Sequence, residues 1–300
     1  MNHQPGLFAV GTRDHYHLEF DLRPDVDRAA LATALAGVHE ARGLGSVNLV
    51  VGFGAGTWAR FGDEQPDGLR PFDPIEGTDG HGVPATQHDV WVFAHGTGRD
   101  TVLHAARAIV AAMAPVATVA VDRPSFMYLD SRDLTGFIDG TANPGLDEAP
   151  EVALIPEGSP CAGGTFVIAM TWVHDLASFD ALPVAEQERV FGRSKPDSVE
   201  MDDATKPANA HIARVEIDDD DGEELEIFRR STPWGTASEH GLYFVAFSAD
   251  LRRYDLMLTR MFGLGDDGVR DRLTDFSTPV TASYYFAPSA DALEALIGSA

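Results

Sequence analysis

Apolar and polar positions alternate with a period near two in several stretches and then switch to a period near 3.6, the mark of strands that feed helices. Asp89-Val-Trp-Val-Phe-Ala-His reads as a strand, and after a polar break Thr101-Val-Leu-His-Ala-Ala-Arg-Ala-Ile-Val reads as a helix. The same order recurs in Gly241-Leu-Tyr-Phe-Val-Ala-Phe-Ser and Arg253-Tyr-Asp-Leu-Met-Leu-Thr-Arg-Met-Phe. Two more strand openings echo one another, Leu7-Phe-Ala-Val-Gly-Thr and Thr165-Phe-Val-Ile-Ala-Met-Thr. Amphipathic helices follow over Asp25 to Val38 and Ser178 to Phe191, with Pro183 breaking or delaying the second. His211-Ile-Ala-Arg-Val-Glu-Ile alternates like a strand, Asp218 to Glu224 is an acidic turn, and Leu225-Glu-Ile-Phe-Arg-Arg is the return strand. This hairpin brings His211 back near Arg229, Arg230 and Ser231.

The recurrence suggests a duplicated α+β unit, two sheets each covered by helices. The joint is crowded with Gly140, Asn143, Pro144, Gly145, Pro150, Pro156, Gly158, Pro160, Gly163 and Gly164, which is loop chemistry. The expected division is an N-terminal half over 1–147, a connecting loop over 148–164 and a C-terminal half over 165–300 that carries His211.

Charge narrows the choice of partner. The chain of 300 residues has 22 basic against 47 acidic side chains. That balance argues against nucleic acid and anionic membranes, both of which want basic patches. No stretch approaches the roughly 20 apolar residues of a membrane helix. The first residues show no basic region followed by an apolar block, so no export signal is expected. Cys161 stands alone, which rules out an intrachain disulfide and fits a reducing compartment, the cytoplasm by default.

Several chemistries lack their residues. Gly52-Phe-Gly-Ala-Gly follows an apolar strand but lacks the third glycine of a dinucleotide loop, and Phe61, Gly62 and Pro66 cut short any helix after it. There is no GxxxxGK phosphate loop and no GxSxG elbow. One cysteine permits neither a paired-cysteine zinc site nor Cys-x-x-Cys-His haem attachment. His15 and His17 share a strand face, but eleven scattered histidines make such a pair ordinary, and a structural role is expected. The distinctive segment is Gly136-Phe-Ile-Asp-Gly-Thr-Ala-Asn-Pro144, a tight polar loop. Gly136 and Gly140 allow backbone shapes closed to other residues, and Asp139, Thr141 and Asn143 can fix the turn.

This segment resembles the GFxDGTxNP signature of the dye-decolourising peroxidases. The likeness continues in Trp172-Val-His-Asp-Leu, Gly192-Arg-Ser-Lys, His211-Ile-Ala-Arg-Val, Ile227-Phe-Arg-Arg-Ser-Thr-Pro-Trp-Gly-Thr and Asp275-Phe-Ser-Thr-Pro-Val-Thr. The resemblance is to the compact bacterial branch, type B. It implies two ferredoxin-like units, as in the dimeric α+β barrel superfamily, and b-type haem held non-covalently. By the same likeness His211 is the iron ligand, and Asp275 matches a carboxylate that accepts from the other ring nitrogen of that ligand. Arg193 pairs with a haem propionate, and Asn143 belongs to the cofactor site. Asp139 relays the peroxide proton, Arg229 supplies charge and Ser231 offers a hydrogen bond. The activity implied is reduction of hydrogen peroxide through an oxoferryl intermediate, followed by one-electron oxidation of small aromatic donors. A second reading is a protein that binds haem, or releases its iron, with little turnover. A homo-oligomer is expected. Some members of this branch carry a C-terminal tail that docks them inside an encapsulin shell, and no such tail is visible after the helical stretch Ala290 to Ile297.

Overall fold

The computed structural model describes residues 2–218, 222 and 224–299. The N-terminal half builds β1 (Asp14–Leu22), α1 (Arg28–Glu40), β2 (Asn48–Phe53), β3 (Val90–Gly96), α2 (Arg99–Met113) and β4 (Ala117–Phe126). The C-terminal half builds β5 (Thr165–His174), α3 (Leu176–Asp180), α4 (Val184–Phe191), α5 (His211–Val215), β6 (Phe228–Arg229) and β7 (Thr232–Gly235). It continues with β8 (His240–Ser248), α6 (Arg252–Met261), β9 (Ser277–Ala287) and α7 (Ala290–Ile297).

Strand order reveals the duplication. Antiparallel pairing runs β4-β1-β3-β2 in the first half and β9-β5-β8-β6 in the second, with β7 also on β8. With the short β6 and β7, both paired to β8, counted as one edge strand, the order within each half is 4-1-3-2, the ferredoxin-like arrangement. The halves join where Phe53 of β2 pairs with Phe286 of β9. The outer strands approach as well: Ser125 Oγ of β4 lies 2.8 Å from Thr232 Oγ1 of β7. The two sheets therefore curl toward a barrel.

Alternation along each strand separates two cores. Leu18, Phe20, Val92 and Ala94 face outward to α1 and α2, while Trp91, Phe93, Tyr243, Val245, Phe247 and Tyr285 fill the inside. His17 is among them, stacked on Tyr243 with ring centroids 3.8 Å apart, and Glu19 receives the hydroxyls of Tyr243 (3.0 Å) and Tyr285 (2.5 Å). Burial pushes the His17 imidazole well below its ordinary pKa and raises the Glu19 carboxyl. His15 and His17 are thus core histidines.

Three local expectations change. Leu7 to Thr12 is a turn and coil segment, and the first strand begins at Asp14. The Ser178–Phe191 helix is two helices split at Pro183, where the ring cannot donate to the preceding turn. His211–Val215 is a one-turn helix, and the return strand shrinks to Phe228–Arg229. Between them Leu225 N donates to Ile217 O at 2.8 Å, so the chain does reverse there; residues 219–221 and 223 of the acidic turn lie outside the described residues.

Candidate active site

The outward face of β5 and β8 is not wholly covered by helix. Ile168, Met170, Trp172, Leu242 and Phe244 form the floor of a deep apolar cavity, roofed by Met257, Leu258 and Met261 of α6. The Gly136–Pro144 loop, α5 and the segment 224–231 complete its walls. His211, Asp139, Arg229, Ser231 and Arg193 all line it.

Two histidines face this space, and their hydrogen bonds separate them. His174 has both ring nitrogens engaged, Nδ1 with Ser277 Oγ at 2.8 Å and Nε2 with Asp133 Oδ1 at 3.1 Å. Among the described residues His211 is held only through Nδ1, 2.6 Å from Asp271 Oδ2, which leaves Nε2 as a donor atom for a metal. Asp271 is fully buried, and its other oxygen caps the following 3-10 turn by accepting from Leu273 N at 2.8 Å. The carboxylate is therefore fixed twice over. The expected acceptor, Asp275, is displaced from this role: its Oδ1 lies 2.7 Å from Arg270 Nη2. Both aspartates flank the same short turn, Arg272–Asp275, and its curl points them at different partners.

The Gly136–Pro144 loop is built as its glycines require. Gly136 and Gly140 have φ of 86° and 81°, where a side chain is strained. Arg132 ties the loop down, donating to Gly136 O at 2.9 Å and Lys195 O at 2.8 Å. Asp139 N donates to Ser131 O at 2.9 Å, so its carboxyl is left to face the cavity. Burial raises the Asp139 pKa, with the Arg229 guanidinium pulling the other way and Asp133 adding to the rise. Asn143 acts on the opposite wall: Nδ2 donates to Arg229 O at 2.8 Å and Oδ1 accepts from Arg229 N at 2.9 Å. Both ends of its amide are spent on the Arg229 main chain, so Asn143 positions the arginine and does not itself reach into the cavity. Arg229 Nε is buried without a protein partner. A guanidinium nitrogen left open beside an apolar cavity fits a charged or polar guest.

Ser231 Oγ accepts from Val245 N at 3.2 Å. Arg193 pairs with Glu200 at 3.2 Å and Glu216 at 3.7 Å. Arg230 turns away as alternation requires and donates to Leu7 O at 2.9 Å.

Family models for the N-terminal and C-terminal parts of Dyp-type peroxidases match residues 26–126 and 130–292. The chain belongs to the Dyp-type peroxidase family. It is 40% identical over 253 residues to a dye-decolorizing peroxidase of Mycobacterium tuberculosis, covering 83% of this chain and 75% of that protein. A dye-decolorizing peroxidase of Rhodococcus erythropolis is 39% identical over 254 residues, covering 83% of this chain and 74% of that protein. Among solved structures, a variant of DypB from Rhodococcus jostii in complex with heme superposes with a TM-score of 0.92 at 36% identity over 98% of both chains. The encapsulated DyP-type peroxidase of Mycobacterium smegmatis gives 0.92 at 34% identity, over 98% of this chain and 97% of that one. In this family member the residue that sequence alone missed is Asp271. Its signal was an aspartate positioned to cap a turn, as Asp27 and Asp175 do elsewhere in the chain.

Proposed function

We propose that this chain is a haem peroxidase that binds b-type haem in the apolar cavity, with His211 as the iron ligand. The carrying observation is the pair of cavity histidines, of which His211 alone keeps a ring nitrogen open while its other nitrogen is fixed by a buried carboxylate. That is the arrangement an axial imidazole needs, because the second partner sets ring orientation and ligand basicity. Cys161 cannot provide a Cys-x-x-Cys-His linkage, so binding is non-covalent. When bound, the haem would supply the iron that takes hydrogen peroxide and the oxidising equivalents that small aromatic donors then reduce, one electron each.

The chain's own residues then divide the work. Asp139, its pKa raised by burial, holds or releases a proton at its carboxyl oxygens where peroxide must be deprotonated and reprotonated. Arg229 supplies fixed positive charge for the negative charge that develops on the separating oxygens. Ser231 offers a hydroxyl to the same space. Arg193 lies at the cavity edge, where it can exchange its glutamate partners for a propionate. Asn143 keeps Arg229 in place.

The reading extends to a cytoplasmic homo-oligomer. The lone Cys161 supports the compartment. Exposed apolar side chains, among them Leu129 (61%), Val184 (55%) and Val199 (61%), support association. Light scattering checks the second point.

The central claim is tested by titrating haem into wild type and His211→Ala. Wild type should give a sharp Soret band that shifts on adding peroxide, and His211→Ala should lose or broaden it. An unchanged spectrum in the variant overturns the assignment of His211.

A further inference from the structure

A second cavity adjoins the first. Asp139, Gly140, Arg229 and Ser231 line both, and Thr12, His15, Arg230, Thr232 and Tyr128 line the second alone. Its charge is unusual for a protein with a net charge of −25. Three guanidiniums border it. Arg132 is spent on Asp130 and on the carbonyls of Gly136, Lys195 and Pro196. Arg229 and Arg230 have no carboxylate within ion-pair distance among the described residues.

Arg230 is the decisive one. It is largely buried, and its contacts are neutral: Leu7 O at 2.9 Å, Thr12 Oγ1 at 3.4 Å and the Phe93 ring with its centroid 5.8 Å away. Removing a guanidinium from water without a counter-charge is costly, and burial accordingly lowers its pKa to about 10. Among the described residues no carboxylate pairs with it to offset the charge. His15 and His95 cannot supply negative charge, and they are themselves held neutral, at about 3 and about 2, by burial and by Arg230. Among the described residues Asp139 is the one carboxyl group on the cavity wall, and burial pushes it toward its protonated form.

The hydroxyls around Arg230 are oriented as well. His95 Nε2 lies 2.9 Å from Gly6 O, which can only accept, so Nε2 carries the proton and Nδ1 accepts from Thr12 Oγ1 at 3.0 Å. Thr12 therefore uses its hydrogen on His95, and its oxygen accepts from His15 Nε2 at 3.2 Å and from Arg230. Thr232 in turn gives its hydrogen to His15 Nδ1 at 3.3 Å. With those hydroxyl hydrogens committed, the charge left to attract a guest is that of the guanidiniums.

We infer that the second cavity binds a small monovalent anion, such as chloride or nitrate, at Arg230 and beside Arg229. The anion completes the missing counter-charge. Because Arg229 borders both cavities, an anion held there also competes for the guanidinium that peroxide needs. The anion site stands apart from the haem reading; only the competition rests on it.

The test uses the holoenzyme, with sodium chloride or nitrate compared against sodium gluconate at equal ionic strength, gluconate being too bulky for the cavity. The thermal unfolding midpoint of wild type should climb with the logarithm of chloride concentration above the gluconate control, as mass action requires of a ligand that binds the folded state. Arg230→Gln should lose that dependence. Chloride should also slow the peroxide-driven Soret change of wild type in a saturable way. Crystals of wild type grown with bromide should show an anomalous peak beside Arg230, which decides the matter even where Arg230→Gln does not fold. Equal midpoints in chloride and gluconate, an equal chloride response in Arg230→Gln, or no bromide peak in the second cavity each overturns the proposal. A chloride-dependent midpoint without any effect on the peroxide step would keep the site and remove the competition. Absence of a peroxide-driven Soret change in every salt would count against the haem reading alone.

Discussion

His211 and His174 bring the same ring to one cavity, and the carboxylates behind them decide what each can do. Asp271 is buried and aimed at His211 Nδ1, so on the proposed ligation its loss should be felt at the iron. Changing an outer-shell partner of this kind typically costs about 10–100-fold in metal affinity or activity. Asp271→Asn should therefore weaken haem affinity and raise the ferric/ferrous potential, because a neutral amide makes the imidazole less basic. Asp275→Asn, whose recorded partners are Arg270 and, at 3.9 Å, His81, should change neither. Haem titration and redox potentiometry on the two variants check this, and equal behaviour would refute the choice of Asp271. On the peroxide side, fixed charge works at every pH whereas water can partly replace a carboxylate relay. Arg229→Leu should slow the peroxide reaction more than Asp139→Ala, both losses being visible by stopped flow if acid–base help is worth about 10²–10⁴-fold. The sign with pH follows from burial. A carboxyl raised above its ordinary value stays protonated to a higher pH, and it accepts a proton only once ionised. The wild-type rate should fall as pH drops through that elevated value, and Asp139→Asn should lose this fall.

At the level of elements, the position of His211 depends on how closely α4 and α5 meet. Gly192 ends α4 in the left-handed region with φ 81°, and a Cβ there would lie 2.5 Å from Ile212 Cγ2 and 3.2 Å from Ala210 Cβ. Gly192→Ala combines backbone strain with overpacking, each worth about 1–3 kcal/mol. It should lower the melting temperature of the haem-free protein and weaken haem binding together. A variant that melts and binds like wild type would show that α5 adjusts freely. The same helix shows where sequence reading falls short. The five residues His211–Val215 are too few to tell a period of two from 3.6, and burial does alternate there because Arg214 is buried in a two-pronged pair with Asp267 at 2.8 and 2.9 Å. Leu7 to Thr12 misled for a related reason: it is apolar, but Gly11 at φ 77° turns it, and side chains take the carbonyls at its start, Arg230 that of Leu7 and His95 that of the preceding Gly6. Longer patterns were legible. The strands at 90–96 and 240–248 and the helices after them lie where their periodicity places them, since seven or more residues of one period leave a single face to bury. The loop from Gly136 to Pro144 was legible through its glycines. The partner of His211 was not, because two aspartates flank one turn and only its curl distinguishes them.

For the whole molecule the net charge is −25, and the cavity mouth now adds a local term of the same sign. Five carboxyl groups line the first cavity, Asp133, Asp139, Glu216, Glu224 and Glu226, and even with Asp139 pushed toward its neutral form they outnumber the guanidiniums of Arg193 and Arg229. The basic residues that could have made a positive entrance are engaged elsewhere. Arg193 is paired with Glu200 and Glu216, and Lys206 with Glu200 at 2.5 Å and Asp203 at 3.1 Å. Lys195 donates to Gln187 Oε1 at 2.6 Å and lies over the Phe137 ring. A field of one sign raises the association rate of opposite charges by about 10-fold or more, and at physiological salt it is screened over about 8 Å. Cationic or neutral phenol and amine donors should thus outperform sulfonated anionic dyes of similar potential at neutral pH and low salt, and the difference should shrink as salt is added. Burial and neighbouring carboxylates raise the Glu216 and Glu224 pKa, so these groups protonate before ordinary glutamates as pH falls. Anionic dyes should therefore gain on cationic donors as the pH approaches roughly 4–5, near the reference carboxylate values. Measuring kcat/KM for matched donors across ionic strength and pH decides it: a low-salt preference for the anionic donor that fades with salt would mean that Arg193 and Lys206 leave their glutamates and make the entrance positive.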